Sequence, residues 1–111
     1  MVVTFEELYQ GNVEAQKARY ETITAGYEEC YGKAQELSYF SAPGRTEVGG
    51  NHTDHNHGCV LAAAVNLDIV AVVSPNNDNI VRVKSHGFEK IDDVDLSIRT
   101  PQPREAEHSA A

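Results

Sequence analysis

Tyr20, Ile23, Tyr27, Cys30 and Tyr31 recur at steps of three and four residues, which places them along one face of a helix. Glu14, Lys17, Arg19, Glu21 and Glu28 fill the rest of its circumference. Asn12 stands where it can cap this helix, and Gly32 where it can end it, because glycine enters the left-handed conformation without steric cost. Ahead of it, Thr4 and Glu7 have the spacing of a capping box for a short helix, Phe5 to Tyr9, that stops at Gln10-Gly11-Asn12. The tyrosines read as core-packing residues.

The period then changes to two. Leu37 to Ser41 reads as a strand ending at Ala42-Pro43-Gly44. Residues 67–74 are nearly all β-branched or apolar, and Pro75 to Asn79 forms a turn cluster. From Ile80 to Ser85, Val81 and Val83 alternate with Arg82 and Lys84, the pattern of a half-exposed strand. These two segments predict an antiparallel hairpin over 67–85. Its unpaired edge or uncovered apolar face would invite self-association.

The last stretch, Pro101-Gln-Pro103 followed by Arg104 to Ala111, reads as a loop entering a helix with no apolar stripe and no cap. A helix of that size falls below the roughly 12 residues that hold together in water without packing, so the chain is expected to be a fragment cut inside an element. The expected class is α+β, with N-terminal helices and an antiparallel β-sheet. The expected organisation is a helical leader over 1–35, a β-rich region over 36–96, and a loop with the start of a truncated helix over 97–111.

Composition narrows the function classes. The 111 residues carry 9 Lys and Arg against 17 Asp and Glu, a formal net charge of −8. That length supports one modest domain or part of a larger one. The acidic balance argues against nucleic acid or an anionic membrane as partner. The longest apolar run, Val60 to Val65, is far too short to cross a bilayer, and no secretion-signal pattern opens the chain. Cys30 and Cys59 read as buried thiols in a reduced, cytoplasmic compartment.

The chemistry concentrates between Ser41 and Leu61. There Gly44, Gly49, Gly50 and Gly58 surround Arg45, Asn51, His52, Asp54, His55 and His57. Glycine lets backbone approach a ligand closely, and loops on a rigid sheet present ligand groups. A carboxylate such as Asp54 suits a pair of neighbouring hydroxyls, and the fork of Arg45 suits phosphate or carboxylate. A Walker-type phosphate loop needs a lysine that this segment lacks. A metal site would draw on His52, Asp54, His55 and His57, four potential ligands within six residues. Their spacing matches neither a zinc finger nor the His-Glu-x-x-His helix, and converging them requires a sharply folded loop.

This segment resembles the N-terminal signature of galactokinases, members of the GHMP small-molecule kinases. That signature is G-R-x-N-x-I-G-E-H-x-D-Y followed by x-x-G-x-V-L-P. Here it stands as Gly44-Arg-Thr-Glu-Val-Gly-Gly-Asn-His-Thr-Asp-His55, then Asn-His-Gly-Cys-Val-Leu-Ala62, and the likeness runs from roughly Ser38 to Ser85. It implies a partial GHMP kinase N-terminal domain, with galactose or a related hexose as substrate and MgATP as co-substrate of a full-length parent. Arg45 then matches the catalytic arginine beside the transferred phosphoryl group. Asn51, His52 and Asp54 match the sugar-binding positions, Asp54 toward the 3- and 4-hydroxyls.

Five positions depart from the pattern. Asn51 replaces the usual Glu, Glu47 the usual Asn, Gly49 the usual Ile, His55 the usual Tyr and Ala62 the usual Pro. They leave the reaction type and bear on sugar specificity. No Gly-Leu-Ser-Ser-Ser loop for ATP occurs, so the 111 residues are expected to bind no cofactor and to be inactive alone. Two further readings stand beside this one: a non-catalytic galactose sensor, and a His/Asp metal-binding loop protein.

Overall fold

The computed structural model describes residues 2–34, 36–50 and 56–105. It divides into two compact units, Met1–Val73 and Ser74–Ala111.

The first unit opens with α1, Phe5–Leu8, and α2, Val13–Tyr31. The capping box forms: the Glu7 amide donates to Thr4 Oγ1 at 3.2 Å and the Thr4 amide donates to Glu7 Oε2 at 2.9 Å. These bonds hold Glu7 below the usual carboxylate range. Asn12 occupies the N-cap of α2, although its side chain makes no capping hydrogen bond. Gly32 ends the helix at φ 80° and ψ −179°, a region that essentially only glycine visits.

Two long strands follow, β1, Ser38–Gly49, and β2, Leu61–Val73. They pair antiparallel from Ser38↔Val73 to Pro43↔Asp68, resume at Arg45↔Ala64, and close at Gly49↔Leu61. Register irregularities fall between Pro43 and Arg45 and between Glu47 and Gly49. Paired residues share a face, so Tyr39, Ser41, Val70 and Asp68 line one side. The helices cover it: the Thr24 and Tyr39 hydroxyls are 2.9 Å apart, and the Tyr20 ring lies edge-on to Phe5 at 4.8 Å and tilted against Tyr39 at 5.7 Å between centroids. The opposite side carries Phe40, Ala42, Leu67, Ile69, Ala71 and Val73, all exposed.

The second unit is a shorter antiparallel pair, β3, Ile80–Lys84, and β4, Ile91–Asp95, in register from Ile80↔Asp95 to Lys84↔Ile91. The intervening turn is held by Lys84 Nζ, which donates to the carbonyls of Phe88 and Glu89. A 3₁₀ turn, Pro103–Glu105, follows. β4 is silent in the sequence because three of its five residues are Asp, a residue depleted in strands.

The α+β class holds, with helices first and antiparallel pairs after them. Three expectations are corrected. The hairpin expected over 67–85 does not form: β2 pairs with β1, and β3 with β4. The strand expected to end at Ala42-Pro43-Gly44 continues to Gly49. Cys30 and Cys59 are exposed rather than buried. The α2 stripe is also only partly covered: Tyr20, Ile23 and Tyr27 are half-buried and Tyr31 is exposed. A two-stranded sheet is too narrow to cover the last turn of a 19-residue helix. Among the described residues no apolar side chain is buried, and no helix is long and apolar enough to cross a membrane.

Candidate functional site

Arg45 projects from β1 immediately after its first irregularity, opposite Ala64, while Thr46 and Glu47 face Ala63 and Ala62. A row of alanines supplies no bulk across the ladder. Pro43, Gly44, Arg45, Thr46 and Glu47 line an open surface groove of about 470 Å³. The Arg45 side chain is 73% exposed, and its Nη2 donates to Glu47 Oε1 at 3.3 Å. A pair this exposed contributes about 0.2–1 kcal/mol, so it leaves the guanidinium able to turn toward an arriving anion.

Two glycines shape the surroundings. A Cβ on Gly44 would stand 3.0 Å from Val65 Cγ2 and 3.4 Å from the Leu67 carbonyl oxygen. Any larger group would press on β2 where it bulges past this point. Gly50 has φ +80°, and a Cβ there would collide with the Cys59 carbonyl oxygen and lie 3.0 Å from Val60 Cα. The segment between Gly50 and Cys59 thus leaves and rejoins the hairpin at a pinched neck. That segment holds the polar signature residues. Asn51, His52, Asp54 and His55 lie outside the described residues; His57, past them, is exposed with φ 59°. Among the described residues no group of three or more His, Cys, Asp or Glu side chains is placed to hold a metal ion.

A second polar centre, absent from the sequence reading, lies on the helix-covered face. Asp68 accepts from the Tyr9 hydroxyl, from Ser41 Oγ at 2.6 Å and from Arg19 Nη1 at 2.8 Å, and Arg19 Nη2 also reaches the Asp68 carbonyl at 3.1 Å. Desolvation pushes the Asp68 carboxyl up, but the three donors and the Arg19 charge outweigh it and bring it down to about 2. Desolvation and the bonds to Asp68 and Tyr20 push the Tyr9 hydroxyl well above its ordinary range. This carboxylate joins the C-cap of α1, α2, β1 and β2 at the last regular pair before Arg45. Its one signal in the sequence is a lone charge inside the apolar run 67–73.

Residues 25–75 match the galactokinase galactose-binding signature. The chain is 40% identical over 74 residues to the galactokinase of Lacticaseibacillus casei (strain BL23), covering 67% of this chain and 19% of that protein. It is 33% identical over 85 residues to the galactokinase of Dictyostelium discoideum, covering 75% and 17%. With the galactokinase of Bacillus subtilis (strain 168) it shares 35% over 68 residues, covering 61% and 17%. The chain spans about a fifth of the length of these curated relatives. No solved structure gives a significant match. The matched stretch begins within α2 and runs through β1 and β2, so this part of the chain carries the galactose-binding signature of galactokinases.

Proposed function

We propose that the chain is the N-terminal, sugar-binding part of a galactokinase that transfers the γ-phosphoryl group of MgATP to O1 of galactose. It forms part of a GHMP kinase N-terminal domain acting in the cytoplasm, with 1–35 as leader and 36–96 as the sugar-binding region. The observation that carries this reading is the coincidence of the signature over 25–75 with an exposed Arg45 on an open groove beside the neck of the glycine-rich segment.

Phosphoryl transfer asks the protein for in-line positioning and for neutralisation of spreading negative charge. Arg45 supplies the second, because its forked donors match phosphoryl oxygens. Asn51, His52 and Asp54 supply the first by gripping the sugar hydroxyls and so fixing the direction of O1. Asn51 both donates and accepts hydrogen bonds, whereas a carboxylate there would only accept. The residues of this chain fit a polyol and an anion. The loop that cradles the ATP phosphates belongs to the parent, and the 111 residues alone are expected to turn over no ATP.

Substitution in a full-length parent separates the roles. Arg45→Ala is expected to lower kcat by about a hundredfold or more while changing galactose affinity little, since its charge acts in the transition state. Asp54→Ala is expected to weaken galactose binding as well. Equal thermal destabilisation by both, with no split between kcat and KM, would show structural roles and defeat the reading. Galactose binding with no turnover by the parent would establish the sensor instead.

A further inference from the structure

We propose that Glu47 is a resident counter-ion of Arg45 that competes with the incoming phosphoryl group and so sets how tightly the groove holds an anion. The inference rests on the reading of Arg45 as the phosphoryl contact. Glu47 is two residues from Arg45 on one strand, hence on the same face, and its Oε1 lies 3.3 Å from Arg45 Nη2. Across the ladder both face alanines, too short to reach either charge. Glu47 is the less exposed partner, 32% against 73% for Arg45, so the guanidinium is the member with more room to turn. The galactokinase signature carries a neutral Asn at this position. An anion binding to Arg45 here meets the negative charge of Glu47, which an Asn would lack, and part of its attraction to the guanidinium is offset by that repulsion and by competition for Nη2.

Titration of inorganic pyrophosphate into the chain, followed by the amide resonances of Gly44 and Thr46 and the guanidinium resonance of Arg45, tests this. Glu47→Gln is expected to tighten pyrophosphate about two- to five-fold, the range of an exposed ion pair. That gain is expected to vanish in the Arg45→Gln background. Glu28→Gln, which changes net charge equally from an exposed position on α2, is expected to match the unsubstituted chain. The proposal is overturned by equal affinities for the unsubstituted chain and Glu47→Gln, by an equal gain from Glu28→Gln, or by no pyrophosphate response at these residues in either form. A parallel galactose titration separates the two readings. Galactose binding without a Glu47 effect sinks only this inference, and a Glu47 effect without galactose binding sinks only the sugar reading.

Discussion

At Asp68 a single carboxylate gathers the Tyr9 and Ser41 hydroxyls and the Arg19 guanidinium, with 14% of its side chain exposed. Its carboxyl is lowered to about 2 from 3.8. A depressed carboxyl contributes stability in full above the unfolded value, and loses it as pH falls through the folded value. The chain is therefore expected to lose on the order of 1–2 kcal/mol between about pH 4 and pH 2 from this group, after allowance for solvent screening. Asp68→Asn should flatten that limb in urea unfolding followed across pH. Tyr9 has the opposite sign: its raised hydroxyl favours the fold up to about pH 10, and the contribution is lost as pH climbs beyond. Tyr9→Phe should abolish the alkaline loss. It also removes one donor from Asp68, so the acid limb should move to higher pH; an unmoved limb would show that the Tyr9 bond contributes nothing.

Among the elements, the glycines separate by what surrounds them. Gly50 combines φ +80° with a backbone collision for any Cβ, whereas Gly26, inside α2, has nothing within 4 Å. Gly50→Ala is expected to cost about 2–4 kcal/mol and to abolish galactose binding by forcing the neck open. Gly26→Ala should stabilise by about 0.5–1 kcal/mol, as helix propensity dictates; thermal melts of the two variants check both signs. The same contrast explains which elements were legible. Both helices could be read because a capping box, a 3.6 period and a terminal glycine are local signals. Strand pairing is not local. Ala62 to Ala64 carry no strand preference, so the first half of β2 was invisible. Pro43-Gly44 reads as a turn, but β1 has one unpaired edge, where Pro is tolerated, and the irregularity absorbs Gly44. Arg45 could be found from its motif. The Asp68 cluster could not, because the lone charge of Asp68 in its apolar run does not name its partners, and Tyr9, Arg19 and Ser41 are scattered along the chain as ordinary polar residues.

For the molecule as a whole, the balance between apolar exposure and charge decides its solution behaviour. Leu67 is 76% exposed, Ile69 78%, Phe40 58% and Val73 46%, all on the face of the β1–β2 pair that the helices leave uncovered. Fully burying one such side chain contributes about 1.5–3 kcal/mol, so a second copy laid on this face would gain several contacts of that size. The opposing force is the net charge of −8. None of the face residues is charged, and salt screens repulsion from charges elsewhere within about 8 Å at physiological ionic strength. Self-association is therefore expected to strengthen with both concentration and salt, read as a rising average mass in sedimentation velocity. Ile69→Lys sets a cation in the middle of the face. It should return the chain to monomer with its melting temperature nearly unchanged, because so exposed an isoleucine contributes little to the fold. A parent chain that stays monomeric at high concentration and high salt would show that the apolar face is too small to drive association. A monomeric Ile69→Lys variant that also melts early would instead assign Ile69 to the fold.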